Sequence, residues 1–420
     1  MAENQILAAL QIESNEVRLL VGEVFNTRLN TLKKETVACK GLDGIRIVDQ
    51  KAVASAIRQA VDSASAHLGT PIESVLLAIP AYRFKKETRT FSKVIDSGDG
   101  RIKADDIKDM YHKALTVNVG SDIVVANVAC NVYKTNGITY RKLPVGEQCD
   151  VLEADIDLLC CDKLTAYDYV TVVEQAGLKV LDICLDNYAL AKEAALFEQT
   201  MRNYVLSIQF EKQHTLFSII YDGKIVTSEN EAIGYDALAK AIAQRYSLPE
   251  NIAVKQLMKH GRLAQKEFTN RPVYMWTANQ VTNMINDYDL HETIKDTADY
   301  IAKDFQALCE PILNQENVTV MVSGDGVEIE GVDRLLAERF NKPVKCYYPE
   351  TLGARGAKWA VPLGLFYSYI DSQIGPDSNE SSLDVTAYTA HLNSRVNHTN
   401  HEEGFTSRLK NMLFNNQKNS

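Results

Sequence analysis

The sequence predicts an α/β fold built from two similar halves, and three observations predict it. A strand–turn–strand unit at residues 7–22 returns at residues 205–221, where Gln11, Ile12 and Glu13 are matched by Gln209, Phe210 and Glu211 at a single offset. Apolar β-rich runs alternate with amphipathic helical stretches along most of the chain. Each half also contains a short buried strand closed by a breaker: residues 75–80 end in Pro80, and residues 318–323 run into Gly324-Asp325-Gly326.

The elements follow in order. Residues 5–40 alternate as consecutive strands with a polar turn at 13–16. Asp49 is placed as the N-cap of a helix whose apolar face carries Ala52, Val53, Ile57, Ala60 and Val61. From Tyr82 to about Leu164 charge rises, and one helix among strands suggests a small α+β insert. A helix at 163–175, a strand at 177–183 and an Ala-rich helix at 187–198 complete the first half. After the repeated hairpin, residues 235–313 read as helical, interrupted near Asn270-Arg271-Pro272. Helices at 331–340 and 359–370 and a strand at 344–348 follow. Residues 371–403 are rich in Asp, Ser, Asn, Thr and His, which predicts a disordered linker.

Composition narrows the function. The 420 residues are 45% hydrophobic with a formal net charge of −10. An acidic total argues against general nucleic-acid binding. The eight cysteines show no metal-like spacing, which suits buried thiols in a reducing cytosol. Met1-Ala2-Glu3-Asn4 carries no basic segment, so no secretory leader is expected. No apolar run approaches the ~20 residues that span a bilayer.

A duplicated hairpin followed by a strand and a Gly-rich turn resembles the ground plan of the actin-like ATPases, with a ribonuclease H-like duplicated core. Within them, residues 41–64 and 75–80, Gly234-Tyr235-Asp236-Ala237-Leu238, and Val322 to Val332 resemble the bacterial cell-division family FtsA. The likeness implies two lobes of four subdomains: 1A (1–81, 165–200 and 357–370), 1C (82–164), 2A (201–236 and 312–356) and 2B (237–311). It also implies a linker (371–403) and a terminal amphipathic helix (404–416).

The resemblance assigns a nucleotide pocket to Gln11, Glu13, Ser14, Asn15, Gln209, Glu211, Lys212, Val254, Leu257, Ser323, Gly324, Asp325 and Gly326. The family's phosphate hairpins need Asp-x-Gly, the carboxylate ordering Mg²⁺ and the glycine admitting phosphate. Here both copies read Gln-x-Glu. Like charges ~4 Å apart repel by about 4 kcal/mol at an effective dielectric of 20. The family's Ala-Glu-x-x-Lys is replaced at 253–257, and one glycine of the adenosine-side turn by Asp325. A pseudo-ATPase without catalytic residue, metal or cofactor is therefore expected. The competing reading has Ser14, Asn15 or the Lys212 amine handle phosphate, leaving ATP and Mg²⁺ possible. Sugar-kinase activity lacks a catalytic Asp and an intact phosphate site.

At 100° per residue Phe405, Leu409, Met412 and Leu413 share a face flanked by Arg408 and Lys410, with Phe414 at the end. Such a stripe suits anionic lipid, or docking on its own body or a partner. Lys255, Lys259, His260, Arg262, Lys266 and Arg271 form a basic patch. By resemblance, subdomain 2B receives the C-terminal peptide of the tubulin-like protein FtsZ there, and protomers stack head to tail through 1C and 2B. The implied role is a tether of FtsZ filaments to the cytoplasmic face of the bacterial plasma membrane at the division site, recruiting later divisome proteins. The pilus-assembly adaptor PilM is the related alternative.

Overall fold

The computed structural model describes residues 5–25, 28–96, 98–200, 202–278, 280–373 and 380–401. The first core holds β1 (Gln5–Glu13), β2 (Glu16–Phe25), β3 (Arg28–Ala38), the short β4 (Leu42–Asp43) and β5 (Arg46–Ile47), α1 (Gln50–Leu68) and β6 (Ser74–Ile79). Asp49 caps α1, its carboxylate accepting from the Ala52 N–H at 3.0 Å. Next come β7 (Lys85–Val94), α2 (Ala104–Leu115), β8 (Ile123–Thr135), β9 (Ile138–Tyr140) and β10 (Val151–Asp162), a separate sheet in the order β7-β10-β8-β9. The chain then returns to the first core with α3 (Lys163–Gln175), β11 (Lys179–Leu185), α4 (Asp186–Glu193) and α5 (Leu196–Gln199).

The second half repeats the plan with β12 (Tyr204–Phe210), β13 (Thr215–Tyr221) and β14 (Lys224–Glu231). It continues through α6 (Asp236–Tyr246), α7 (Glu250–His260), β15 (Pro272–Ala278), β16 (Val281–Asn286) and α8 (Asp287–Leu313). The strand β17 (Val318–Ser323), α9 (Val332–Phe340), β18 (Val344–Cys346), α10 (Ala360–Ser372) and α11 (Val385–His401) complete it. The two main sheets run β3-β2-β1-β6-β11 and β14-β13-β12-β17-β18. Each has three antiparallel strands followed by two parallel ones, and β1 and β12 occupy the same place. The first strands are buried along nearly their whole length, as central strands covered on both faces must be. Helix α10 crosses back to pack on α4. A Cβ on Gly364 would lie 1.9 Å from the Ala189 carbonyl oxygen, so only glycine admits that approach.

Two expectations need correction. Residues 272–286 form a hairpin, not part of a helical region. The β-branched and aromatic run Val273-Tyr274-Met275-Trp276-Thr277 is a strand signal, and Tyr274 and Trp276 stack at 5.5 Å. The predicted linker is also partly built into the body. Glu380–Leu383 lies against the first sheet, Ser382 and Leu383 are buried, and α11 follows. Its N-cap is Asp384, whose carboxylate accepts from the Thr386 and Ala387 N–H groups. Low hydrophobicity hid this segment, because backbone and hydroxyl hydrogen bonds hold it more than apolar area does. The amphipathic stretch 404–416, with Phe405, Arg408, Leu409, Lys410, Met412, Leu413 and Phe414, lies outside the described residues.

Candidate functional site

The two repeated hairpins meet tip to tip. In the first, β1 and β2 turn through Ser14 and Asn15, both at positive φ (46° and 69°), as a two-residue hairpin loop with the Glu13–Glu16 pair at its base. In the second, the Glu211 N–H donates to the His214 carbonyl at 3.0 Å, so Lys212 and Gln213 form the tip. The glutamates thus stand at strand ends and not at the tips. Gln11, Glu13, Gln209 and Glu211 are 2%, 5%, 3% and 2% exposed. The hairpins touch directly, the Lys212 N–H donating to Ser14 Oγ at 3.2 Å while Ser14 Oγ donates to Glu13 Oε1 at 2.6 Å.

Ionic contacts cross the seam in both directions. Arg18, opposite Gln11 on β2 and 1% exposed, reaches Asp325 at 2.6 Å, Glu16 at 2.6 Å and Glu211 at 3.5 Å. His214 of the second hairpin meets Glu13 of the first at 2.8 Å. Lys358 lies 3.7 Å from Glu16. Glycine is required beside this cluster: Gly324 has φ +83°, and a Cβ there would lie 2.6 Å from Glu211 Oε1. Asp325, where the resemblance expects a second glycine, is the closest carboxylate partner of Arg18 together with Glu16.

Burial would lower His214, but the adjacent Glu13 carboxylate lifts it to about 9. Burial likewise pushes against Glu13, yet His214, Arg18 and Ser14 bring it below its usual range. Glu211 behaves differently. It is as deep, and Arg18 gives it only the longer contact, so burial carries it up to about 8, with Glu13 and Asp325 adding repulsion. Burial raises Asp325 as well, against the pull of Arg18. Asp186 is buried at the start of α4 and rises to about 7, while accepting from the Ala81 and Asn187 N–H groups. Near neutrality Arg18 and a protonated His214 therefore face an ionised Glu13, while Glu211 holds a proton.

The remaining assigned positions separate. Gln11 accepts from Arg18 at 3.5 Å, and Ser323 and Gln209 are neighbours across β17 and β12. Lys212 pairs with Glu250 at the start of α7, 3.4 Å away. Leu257 is a core residue and Val254 packs on the same cluster, so neither presents a polar contact for a nucleotide. The basic patch divides too. Lys255 and Lys259 project from α7, while Arg262 is tied to Glu330 at 2.8 Å. The His260 imidazole is lowered by burial and by Lys259, Arg262 and Arg271 around it. Lys266 faces a cavity of about 680 Å³, whose wall includes Leu263, Phe268, His291, Lys295 and Arg339. Among the described residues no group of three or more His, Cys, Asp or Glu side chains has an arrangement suited to a metal ion. Sequence reading missed Arg18, Glu16 and His214. Arg18 did leave a signal, a lone cation in the apolar run Val17-Arg18-Leu19-Leu20-Val21.

Replacing Arg18 by leucine, the residue at the equivalent place in the second half (Leu216), strands buried carboxylates. Arg18→Leu should lower the free energy of unfolding by about 3–5 kcal/mol in a urea titration, and Arg18→Lys by less. The pH profile is also fixed by sign. His214 and Glu211 both have folded values (about 9 and about 8) above their ordinary values of 6.5 and 4.5. The advantage these protonated forms give the fold is therefore fully present only below those ordinary values, and it drains away as pH climbs from them to about 8 and 9, as the seam gains negative charge. Denaturant midpoints should fall across that window, and His214→Gln should flatten the fall.

No family model matches the chain. It is similar to the cell division protein FtsA of Bacillus subtilis, with 22% identity over 378 residues covering 87% of this chain and 83% of the relative. FtsA of Streptococcus pneumoniae is 24% identical over 371 residues, covering 87% and 80%. In Borreliella burgdorferi the FtsA match is 20% over 372 residues, covering 85% and 88%. Among solved structures, the PilM–PilN type IV pilus biogenesis complex aligns with TM-score 0.57 at 12% identity, over 86% of this chain and 97% of that one. The ethanolamine utilization protein EutJ of Carboxydothermus hydrogenoformans aligns at 0.52 and 12%, over 87% and 89%. MreB5 of Spiroplasma citri, bound to ADP, aligns at 0.51 and 14%, over 88% and 99%. The paired sheets and meeting hairpins give the chain an actin-like fold, and along most of its length its sequence is similar to FtsA proteins.

Proposed function

We propose that this protein serves bacterial cell division as a scaffold, linking filaments of FtsZ to the cytoplasmic face of the membrane and recruiting later division proteins, without using ATP. The observation that carries the ATP-free part is the ionic seam. Side chains from both halves converge where the fold's phosphates would sit: Arg18 is taken by Glu16 and Asp325 and His214 by Glu13, while Glu211 Oε2 and Gln209 Oε1 stay buried without a hydrogen bond. A polyphosphate entering there would separate these pairs and meet Glu13, Glu16 and Asp325, at a cost of several kcal/mol. The seam holds the lobes together with the chain's own charges.

The division role draws on the FtsA relatives. The partner reading draws on the groove beside α8 and α9, where Phe268 packs against His291 at 4.7 Å and against Tyr288 at 5.7 Å. Lys266, Lys295 and Arg339 flank those rings. The same wall carries Glu292, Asp299 and Glu338, with Lys295 3.8 Å from Glu292 and Arg339 4.0 Å from Asp299, so the rings and Lys266 are what would receive an acidic-apolar peptide such as the FtsZ C-terminus. The lipid reading draws on the apolar stripe of residues 405–414 with Arg408 and Lys410 beside it. No helix among the described residues is long and apolar enough to cross a membrane. One short helix binds lipid weakly, so durable attachment needs several copies joined, which head-to-tail assembly would supply.

Two measurements test this. Anionic liposomes should pellet the full chain and lose it on removal of residues 404–420; equal pelleting of both forms refutes the tether. Calorimetry with Mg·ATP should show no binding at micromolar affinity, and a micromolar isotherm refutes the ATP-free reading.

A further inference from the structure

The first sheet is split at one end. β1 and β6 pair at Ala9–Leu76 and Leu10–Leu77, and towards their N-terminal ends a different segment stands between them. That segment is Ser381-Ser382-Leu383. The Ser382 N–H donates to the Ile6 carbonyl at 2.7 Å, and the Ala8 N–H donates to Ser382 Oγ at 2.9 Å. On the other side the Glu73 and Ser74 N–H groups donate to the Ser382 carbonyl at 2.8 and 3.3 Å. The Ile6 N–H donates to Ser381 Oγ at 3.2 Å, and Leu383 bridges to Ile72. Ser382 is completely buried. So the backbone groups that a continuous β1–β6 ladder would satisfy are satisfied by a residue more than three hundred positions away.

The contact continues beyond the slot. Tyr388 on α11 is 8% exposed and joins the first core with Leu383 and Val385. His391 lies against Gly69 at the end of α1, where a Cβ would fall 2.3 Å from the imidazole ring. Gly69 has φ +75°, so glycine is required both for the cap and for this approach.

We propose that the gap between β1 and β6 is a docking slot for the chain's own Glu380–Tyr388 segment, and that its capture fixes where and in which direction the C-terminal stretch leaves the body. Captured, the stretch departs along α11, a rod of about 20 Å beyond Tyr388 at 1.5 Å per residue. Released, everything after α10 becomes a tether with a typical span of roughly 30 Å in any direction. The slot holds its occupant mainly by hydrogen bonds, each worth about 1 kcal/mol net, with little apolar area. That is a contact strong enough to be populated and weak enough to open without unfolding the sheet. This inference does not depend on the lipid reading, and its test uses no lipid.

Hydrogen exchange on the full chain tests it. The Ile6, Ala8, Glu73 and Ser74 amides should be protected in the parent protein. They should exchange at least about tenfold faster in Ser382→Pro, which removes the donor to Ile6 and the Oγ acceptor, while the Glu211 amide at the seam stays protected. Leu383→Ala, which leaves every backbone bond formable, should give a smaller acceleration at the same four amides and covers the case in which the proline variant loosens throughout. Small-angle scattering should show a longer maximum dimension for Ser382→Pro than for the parent. Unchanged exchange at those amides in both variants overturns the slot, as does loss of protection spread equally to Glu211 in Leu383→Ala. An unchanged maximum dimension with accelerated exchange overturns its control of the tail.

Discussion

A buried charge must be paired, and in this protein that requirement joins two lobes. Arg18 does not find all its partners within its own hairpin: Glu16 takes one side of the guanidinium, and Asp325 of the other half, with Glu211 at longer range, takes the other. His214 keeps its proton only because Glu13 of the opposite hairpin is there. Drawing the hairpins apart would leave ions of both signs without partners. The energetic case for closure thus comes mainly from the cost of separation, since a buried pair gains little over an apolar contact when it is complete.

The duplication makes the arrangement possible and its asymmetry makes it work. Both hairpins carry Gln-x-Glu, which by itself would place two carboxylates face to face. The halves then diverge at two places only two residues apart. Where the first has Glu16 and Arg18, the second has His214 and Leu216, so each copy supplies one cation. Leu216 packs into the first lobe's apolar cluster, which gives the seam an oily base beneath its ions. A symmetrical pair of arginines would have overfilled the space, and a symmetrical pair of leucines would have left the acids unpaired.

Much of the architecture was legible because it is written in local signals. The Asp49 cap, the β-rich runs and the repeated Gln-x-Glu each constrain structure within a few residues of themselves. The Gln-x-Glu standing where the resembled family has Asp-x-Gly was legible for the same reason. The ionic seam between the hairpins was harder to read, because Arg18 and Asp325 are brought together only by the fold. The Tyr274–Trp276 hairpin was lost inside a region whose flanks are strongly helical. The docked segment around Ser382 was lost because serines, an aspartate and a threonine look like solvated chain until a split sheet offers their backbone a partner.

Both members of the Arg18 and His214 pairs belong to one polypeptide. Their encounter therefore needs no diffusing small molecule, and no cellular pool sets how often it occurs. On the ATP-free reading proposed above, fuel abundance would have no purchase on an embrace whose arms were synthesised already attached.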